Sequence, residues 1–419
     1  MRQRHRLGST ILCLLAAGAM LLQLAGCGTK VQAQNLMEGV EAGGVSGRPA
    51  DARFANSAAD WAIRLFQQTA VEEKNTLVSP LSVLLALAMT ANGAEGQTRS
   101  EMEALLGGGL PLEELNGYLR DYVKQLPSAD TARLTVANSI WFRDAERLQV
   151  EPSFLQTNAD YYGAAAYRAP FDSRTVQDIN DWVSDATGGT IRQMLEEIPD
   201  EAVLYLINAL IFDAEWEDIY VESAVLLEPF TAADGTSREA EMMYAEEDRY
   251  LDDGQAVGFI KPYKGGQYAF AALLPREDVA IDDYIASLTG QGLLDTLESA
   301  KPASVMAGVP KFQYESEWEL NGALKTLGMP TAFDGRKADF SRMAHSSRGN
   351  IFIGEVIHKT FIAVDERGTK AGAATEVMMA DEAAPANRYT VTLNRPFVYM
   401  ILDTATNLPI FMGTVCDLL

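Results

Sequence analysis

Residues 365–379 read DERGTKAGAATEVMM, a strand pattern written in residues that form strands poorly. At a period of two, one face carries no charge and consists of Thr369, Ala371, Ala373, Thr375, Val377 and Met379. The other face carries both charges, at Lys370 and Glu376. The small residues of the first half bury little apolar area, and Asp381 and Pro385 end the pattern. The segment is therefore expected to fit into a sheet but to have little drive to stay there alone.

Motifs on both sides of this stretch follow a distinctive order. Upstream are Ser79-Pro80-Leu81-Ser82 at the start of an apolar helix, 179–183 (INDWV) with Gly188-Gly189 and Ile191, Asn208 followed by Trp216, and His358-Lys359. Downstream are 394–398 (NRPFV) and 408–413 (LPIFMG). Together they resemble the serpins, a family of serine protease inhibitors, from about residue 54 to the C-terminus. The resemblance implies a reactive-centre loop over about 366–390, with a hinge of Glu366, Gly368, Thr369, Ala371, Gly372, Ala373, Ala374 and Thr375.

The expected fold class is α+β. The length of 419 residues alone suggests two or three domains, whereas the resemblance implies one serpin domain over 54–419. In the serpin fold a helix-rich N-terminal part packs on large mixed and antiparallel sheets, and the reactive-centre loop is exposed. Periodicity predicts helices over 54–66, 81–90, 98–106, 112–126 and 176–186. It predicts strands over 134–142, 202–212, 268–274 and 388–402.

The resemblance also implies a polar cluster beneath the main sheet, called the shutter, formed by Ser79, Ser82, Asn208 and His358. Hydrogen bonds suit a place where two strands must hold together yet part, because such bonds can be exchanged. His358 lies among apolar residues and is expected to be buried with a partner, since burial without one is costly. Trp216 falls in the breach, where the loop first enters the sheet. Two simpler roles stay open: Ser79 can cap a helix, and Trp216 can be an ordinary core aromatic.

Acidic residues outnumber basic ones, with 58 Asp and Glu against 34 Lys and Arg, for a net charge of −24. No basic patch is evident, so nucleic acid is not expected as a partner. The acidity would also repel heparin-like polyanions, and no cofactor is predicted. Its simplest role is solubility.

The N-terminus has the pattern of a lipoprotein signal peptide over 1–26. A basic start precedes an almost wholly apolar run at 11–22, and 24–27 (LAGC) resemble a bacterial lipoprotein cleavage box. That run is short for a membrane helix, which needs about 20 residues, although an uncleaved anchor stays open. Cys27 is then the lipidation site, followed by a flexible tether over 27–53. The protein is expected outside the cytoplasm, lipid-anchored to a bacterial membrane or cell surface, and Cys416 can form no intramolecular disulfide.

The sequence contains few candidate catalytic residues. Loss of the signal leaves two histidines, His345 and His358, and the chain has no Gly-x-Ser-x-Gly, His-Glu-x-x-His, Walker or Cys-x-x-Cys motif. His345 lies in a polar run expected to be an exposed loop. No catalytic residue and no metal site is predicted, and the chain is not expected to be an enzyme.

The expected function is inhibition of serine or cysteine proteases by suicide-substrate trapping. In the family's mechanism, cleavage of the loop gives an acyl-enzyme, and the hinge then inserts into the main sheet and drags the protease away. The partners are then a target protease, of the serine type first, and the membrane, and a monomer is expected. Three alternatives remain: a non-inhibitory serpin-fold binding protein, an exported enzyme and a solute-binding lipoprotein. A charge or proline on the inserting face would favour the first, and none occurs there before Asp381.

The reactive bond is placed by counting from the hinge. The family usually cleaves after the fifteenth residue from the hinge glycine, which from Gly368 predicts the bond between Glu382 and Ala383. Counting back from Asn394 by the family's commoner spacing lands near Pro385 instead. Glu382 would suit a glutamate-preferring protease, while Ala383 and Ala384 would suit an elastase-like one.

Overall fold

The computed structural model describes residues 31–126, 132–144, 148–199, 202–347, 349–369 and 388–418. Within these ranges the chain forms nine α-helices and eighteen β-strands. The helices are α1 (Ala52–Thr69), α2 (Pro80–Ala91), α3 (Gly96–Gly107), α4 (Leu112–Gln125), α5 (Pro152–Tyr162), α6 (Ser173–Ala186), α7 (Ile281–Ser287), α8 (Gly290–Glu298) and α9 (Asn321–Leu327). Two short 3-10 helices lie at Glu222–Ala224 and Pro330–Phe333.

The strands gather in the second half of the chain, after most of the helices. The first nine are β1 (Gln34–Asn35), β2 (Thr76–Val78), β3 (Ala132–Arg143), β4 (Gln149–Val150), β5 (Ala165–Ala169), β6 (Leu204–Glu215), β7 (Val225–Thr231), β8 (Ser237–Asp252) and β9 (Ala256–Pro262). The others are β10 (Tyr268–Pro275), β11 (Lys301–Pro310), β12 (Phe312–Glu319), β13 (Ala344–His345), β14 (Glu355–Val364), β15 (Gly368–Thr369), β16 (Arg388–Thr392), β17 (Phe397–Asp403) and β18 (Leu408–Val415).

Two large sheets carry the architecture. Sheet A has seven strands in the order β1-β5-β3-β6-β15-β14-β12. Sheet B has nine strands, in the order β16-β11-β8-β9-β10-β17-β18-β2 with β7 paired to β8. A small third sheet joins β13 to β4. Helices precede most strands and the sheets mix parallel and antiparallel pairs, so the α+β class predicted from the sequence is confirmed.

Strand β6 is covered on both faces, which explains its continuous apolar run. Leu206 and Leu210 on one face belong to the larger hydrophobic core, whereas Tyr205 and Ile207 on the other belong to a smaller cluster with Ile179 of α6. A strand buried on both faces loses the alternation of a half-exposed one. The strand predicted over 202–212 is therefore present but continues to Glu215.

Helix α2 begins as its sequence predicts. The Oγ of Ser79 accepts a hydrogen bond from the N–H of Ser82, and Pro80 occupies the first turn, where a missing N–H does no harm. Every residue of this helix is buried. The helix is therefore part of the core beneath sheet A, and it fixes Ser79 and Ser82 in position.

The segment before α1 corrects the flexible tether predicted over 27–53. From residue 31 onward the chain lies against the domain: the N–H groups of Gln32 and Ala33 donate to the carboxylate of Asp178, at 2.9 and 2.7 Å. Gln34 then pairs with Arg168 at the edge of sheet A. These contacts use main-chain donors, which leave no apolar periodicity in a sequence. Residues 27–30 lie outside the described ranges.

Length and hydropathy rule out a membrane-crossing helix anywhere among the described residues.

Candidate functional site

The hinge begins as a two-residue strand held between β14 and β6. Gly368 pairs with Glu215, and Thr369 pairs with Ala214 on one side and Val364 on the other. The chain reaches this position through a turn closed by Asp365, whose carboxylate accepts hydrogen bonds from the N–H groups two and three residues later, at 2.8 and 3.2 Å. The start of the predicted reactive-centre loop therefore already occupies a strand position in sheet A.

Strands β14 and β6 touch each other at one end and are held apart at the other. They pair directly, in parallel, from Glu355 opposite Tyr205 to Lys359 opposite Ala209. At the far end β15 lies between them and is antiparallel to both. The two strands thus form a wedge whose wide end holds the first residues of the hinge.

Thr369 faces the core, as the alternation predicts. Its side chain is 1% exposed, and its Oγ1 lies 2.5 Å from the Oη of Tyr263. The Tyr263 ring stacks on Trp216 with 4.4 Å between ring centroids, and burial raises the pKa of this tyrosine. The first inward side chain of the hinge, Thr369, therefore contacts an aromatic side chain, Tyr263, whose own hydroxyl stays protonated.

Gly368 sits where no other residue fits without movement. A Cβ added to it would lie 1.9 Å from the carbonyl oxygen of Ala214, well inside van der Waals contact. The close approach of the two main chains lets β15 pair with β6. The glycine is therefore required by packing rather than by an unusual backbone conformation.

Trp216 holds the chain that leads into the hinge. Its indole N–H donates to the carbonyl oxygen of Asp365 at 2.9 Å, and its backbone N–H donates to that of Arg367 at 2.8 Å. The backbone N–H of Tyr220 donates to the carbonyl oxygen of Glu366, also at 2.8 Å. Trp216 directly follows β6, so the structure places it at the end of sheet A where the hinge enters.

Glu366 is tied to the body of the protein through a shared lysine. The ammonium of Lys311 contacts Glu366 and also Glu241, 2.9 Å from its Oε1. Burial is the largest single influence and raises the pKa of Glu366, but the hydrogen bond and charge of Lys311 together with a backbone hydrogen bond outweigh it, and the net shift is downward. Glu366 therefore stays ionised and anchors the stem of the loop.

A buried ion pair supports the aromatic residues from below. Lys261 and Glu247 are almost fully buried and meet at 2.8 Å. The Lys261 ammonium also lies 4.5 Å from the ring centre of Tyr220 and 5.5 Å from that of Trp216. Burial raises the pKa of Glu247, and the charge of Lys261 opposes that rise. Sequence reasoning missed this pair, because charged residues within a strand are normally assigned to its exposed face.

The four residues predicted to form a shutter are brought together where β14 and β6 still touch. His358 and Asn208 are partners in the parallel ladder, and the Nδ1 of His358 lies 2.8 Å from the Oδ1 of Asn208. The Nε2 of His358 accepts a hydrogen bond from the N–H of Ser79 at 3.0 Å. The Nδ2 of Asn208 donates to the carbonyl oxygen of Ser82 at 2.7 Å, and it also contacts Asn138 of β3, which sequence reasoning missed.

His358 is neutral in this arrangement. Because Nε2 accepts from the Ser79 N–H, the proton of the ring is on Nδ1 and is donated to Asn208. Burial lowers the pKa of His358 to about 3. Both ring nitrogens are engaged, one by a backbone N–H and the other by an amide oxygen, which fits the core role favoured from the sequence.

His345, a further candidate that the structure describes, lies outside this site. His345 lies on the short strand β13 with its side chain 62% exposed, 3.4 Å from Glu151. Among the described residues no group of three or more His, Cys, Asp and Glu side chains could hold a metal ion. The hinge residues Ala371, Gly372, Ala373, Ala374 and Thr375, the predicted reactive bond Glu382–Ala383 and the lipidation site Cys27 lie outside the described ranges.

Comparison with known proteins agrees with this geometry. The family model described as "Serpin (serine protease inhibitor)" matches residues 56–418. The chain belongs to the serpin family. Serpins are generally protease inhibitors rather than enzymes, so a protease is the partner to which membership of this family points.

Relatives of this serpin span plants and thermophiles. Serpin-Z7 of Hordeum vulgare is 32% identical over 363 residues, which cover 82% of this chain and 90% of the relative. The crystal structure of tengpin, a thermophilic serpin, in its native state is 47% identical, covers 93% of this chain and all of that one, and superposes with a TM-score of 0.90. The latent state of tengpin, 44% identical and covering 89% of this chain and all of that one, gives 0.79. The serpin fold predicted from the sequence is confirmed, and the arrangement of this chain is nearer to the native-state structure.

Proposed function

We propose that this serpin inhibits serine proteases as a suicide substrate and that its cleaved loop inserts between β6 and β14. The observation that carries the proposal is the position of β15, because Gly368 and Thr369 already pair with both neighbours of the strand that insertion would form. A longer strand needs only to continue this pairing toward the narrow end of the wedge.

The covalent step uses chemistry supplied by the protease. Its serine Oγ attacks the carbonyl carbon of Glu382, the C–N bond to Ala383 breaks, and the amine of Ala383 leaves with a proton. Glu382 then remains as an ester on the protease. Once the chain is cut, the residues after Thr369 are free to extend as a strand and carry the acyl-enzyme along sheet A.

The register of β15 fits the length of the strands that receive it. Continuing the antiparallel ladder ten residues from Thr369, opposite Ala214, brings Met379 opposite Leu204, the first residue of β6. Ten residues of strand span about 33 Å. Asp381, the first charge on the inward face, falls beyond the end of β6. The uncharged face is therefore as long as the interval it has to fill.

The same register offers an exchange of hydrogen bonds at the shutter. Six residues on from Thr369, Thr375 comes opposite Asn208 in β6 and opposite His358 in β14. Insertion has to break the Asn208–His358 hydrogen bond, and the Thr375 hydroxyl, which can both donate and accept, would enter between the two side chains. The polar pair would then stay satisfied in both states, which keeps the cost of parting the strands low.

The inhibitory mechanism has a direct test. The mature chain is incubated with a panel of serine and cysteine proteases and analysed under denaturing conditions. A covalent complex of the summed mass supports trapping, whereas quantitative cleavage of the loop without any complex would favour the non-inhibitory binding protein.

The position of the reactive bond is tested on the same complex. Mass spectrometry of the C-terminal peptide released on denaturation should find Ala383 at its N-terminus, as expected for a glutamate-preferring target. A start at Ala384 would indicate an elastase-like target cutting one residue later. A start at Ala380 or beyond Pro385 would overturn the hinge count.

We also propose that the mature protein is held outside the cytoplasm of a bacterium by lipid on Cys27. The basic start, the apolar run at 11–22 and the LAGC box support this location. Labelling with a fatty-acid analogue should mark the parent and the Cys13→Ala control but not Cys27→Ala. Equal label on all three would remove the lipid anchor.

A further inference from the structure

The stretch 215–248 carries a large excess of acidic residues. It contains eleven acidic residues and one basic residue, Arg238. It runs from the end of β6 through the 3-10 helix Glu222–Ala224 and β7 into the first half of β8. Several of its carboxylates are exposed: Glu217, Asp218, Glu222, Glu239, Glu241, Glu246 and Asp248.

This stretch lies beside both stems of the reactive-centre loop. Its Tyr220 hydrogen-bonds the carbonyl oxygen of Glu366, and its Glu241 shares Lys311 with the Glu366 side chain. On the other side, β16 begins at Arg388 and pairs with β11, the neighbour of β8. Any protease that cleaves between Thr369 and Arg388 must therefore sit over this end of the molecule.

The local cations neutralise only part of the stretch: Lys261 pairs with Glu247, and Lys264 pairs with Glu215. Arg238 donates to both carboxylate oxygens of Asp417, at 3.0 and 3.1 Å, and Lys311 already serves two carboxylates. In the described part of the chain neither Glu222 nor Glu239 forms an ion pair. Their charges are directed to solvent, where they attract cations.

Large apolar side chains are exposed within the same stretch. Leu227 is 67% exposed, Leu226 is 49% exposed, and Val221 lies nearby along the chain at 36%. The two leucines belong to β7, which pairs with β8 alone among the described strands and contains Pro229. Leu227 is the register partner of Glu241, so apolar and acidic groups alternate beside the loop stem.

We propose that the exposed sheet edge at β7, termed the β7 face and formed by residues from both sides of this edge strand (Val221, Glu222, Leu226, Leu227, Glu239 and Glu241), is a docking site for the target protease. The proposal rests on the proposed function and adds a property of the partner: a basic, partly apolar surface beside its active site. Docking there would hold the protease over the loop before cleavage and raise the rate of association. A second copy of this chain is a poor occupant, because two such faces would bring like charges together.

The test compares rates of complex formation with a cationic and an anionic serine protease of the same cleavage specificity. Leu226→Thr/Leu227→Thr removes the apolar contact and keeps good strand formers, and Glu222→Lys/Glu239→Lys reverses two charges. The control, Glu196→Lys/Glu197→Lys, makes the same charge change on two exposed residues near the start of β6, at the opposite end of that strand from the loop. None of these residues belongs to the hinge or the shutter.

The parent should react with the cationic protease at least about 10-fold faster than with the anionic one, and this advantage should fall as salt is raised. Glu222→Lys/Glu239→Lys should lose the advantage, Leu226→Thr/Leu227→Thr should slow association, and the control should match the parent. The proportion of protease trapped per inhibitor cleaved should not change in any variant, since the hinge is intact.

Equal rates for all four proteins would overturn the docking site while leaving the inhibitory mechanism in place. Absence of a covalent complex from the parent with every protease would instead remove the proposed function, and the docking site with it. A parent dimer in sedimentation that Leu226→Thr/Leu227→Thr abolishes would assign the face to a second copy and overturn the proposal.

Discussion

His358 is the side chain that links β14 to β6. Its ring is buried, neutral and hydrogen-bonded at both nitrogens, to the N–H of Ser79 and to the Oδ1 of Asn208. A buried polar group with both hydrogen-bond partners in place changes the free energy of unfolding little. A group that becomes charged in the same buried position lowers it strongly. The protonation of one residue therefore bears on whether the sheet stays closed.

Acid should destabilise the native state through His358. Its pKa in the folded chain is about 3, below the ~6.5 of an exposed histidine, so the unfolded chain binds the proton more readily. Its contribution is fully present above pH ~6.5 and is lost as pH falls toward 3, at about 1.4 kcal/mol per pH unit. Between pH 7 and pH 5 the free energy of unfolding should drop by about 2 kcal/mol from this group.

Urea unfolding at both pH values measures the drop. His358→Gln should lose most of it, whereas His345→Gln, a change at the exposed histidine of β13, should keep it. An equal pH dependence in the parent and in His358→Gln would show that His358 does not titrate between the two states.

Thr369 is the first hinge side chain to enter the core. An arginine there would bring a charge against Tyr263 and Trp216, at a cost of several kcal/mol unless it escapes to solvent. Thr369→Arg should therefore insert slowly, so that most of the inhibitor is cleaved as a substrate. Gel densitometry of complex against cleaved inhibitor measures the partition, and Thr390→Arg, the same change on the exposed face of β16, should behave as the parent. Full inhibition by Thr369→Arg would move the hinge elsewhere.

At the scale of an element, the short strand β15 is enough to define how a longer inserted strand would pair in sheet A. It has two residues, yet they set the register, the direction and the facing of any strand that extends them. Main-chain contact with β6 makes this possible, and the contact depends on the missing side chain of Gly368.

Gly368→Ala should therefore expel β15 from sheet A. The added methyl would meet the Ala214 carbonyl oxygen at 1.9 Å, so the hinge has to withdraw. We expect easier quenching of Trp216 fluorescence and a larger fraction cleaved as substrate. Gly322→Ala in α9 is the control, since nothing lies within 4 Å of its added Cβ. A parent-like Gly368→Ala would mean that the two strands can move apart to accept the methyl.

Thr375→Val tests the exchange of hydrogen bonds at the shutter. After insertion, valine would leave Asn208 and His358 without the hydroxyl that enters between them, at a cost of about 1–3 kcal/mol. The loop-cleaved variant should therefore be less stable than the loop-cleaved parent, while the two intact proteins unfold alike. Thr375→Ser keeps the hydroxyl and should match the parent. Equal losses in the valine and serine variants would point to packing instead.

Elements with strong periodicity could be predicted, and those built on main-chain or charged contacts could not. Helices α1 and α2 and strand β10 lie where their apolar patterns placed them. The end of β6 was missed because Asp213 and Glu215 interrupt its apolar run. The flexible tether predicted over 27–53 is wrong from Val31 onward, because the contacts of that segment are made largely by backbone N–H groups.

The candidate site could be predicted only as a set of positions. The family motifs named the shutter residues, Trp216 and the hinge, but no sequence pattern shows that Tyr263 touches Thr369 or that Lys311 joins Glu366 to Glu241. Those partners are 55 to 106 residues apart along the chain (366 − 311 and 369 − 263) and meet through sheet topology alone. The chemistry of each contact depends on the types of the two residues, and their spacing along the chain does not reveal it.

At the scale of the whole molecule, insertion would replace one short parallel strand pair, β14 with β6, by two antiparallel pairs. The native chain joins β6 to β14 by a short parallel ladder, from Glu355 to Lys359. A strand continuing β15 would be antiparallel to both neighbours, and antiparallel pairing is slightly more stable for each residue. We therefore expect the native arrangement to be less stable than the one in which the loop has inserted.

Cleavage in the loop should therefore raise the melting temperature. Ten added residues of paired strand, at about 0.5–1.5 kcal/mol per hydrogen bond, predict a rise of more than about 5 °C. Melting the intact and nicked proteins side by side measures it, and Thr369→Arg should gain less. An unchanged or lower midpoint after nicking would support the non-inhibitory binding protein.

Pro229 lies in β7, whose outer edge no described strand covers. Proline has no N–H, so it offers a neighbouring main chain one donor fewer along a strand where every donor counts. A sheet that can accept an extra strand can also accept one from a second molecule, and at high protein concentration this leads to aggregation. Carboxylates and a proline at this edge of sheet B oppose pairing with the main chain of another molecule, which is a separate hazard from insertion into sheet A.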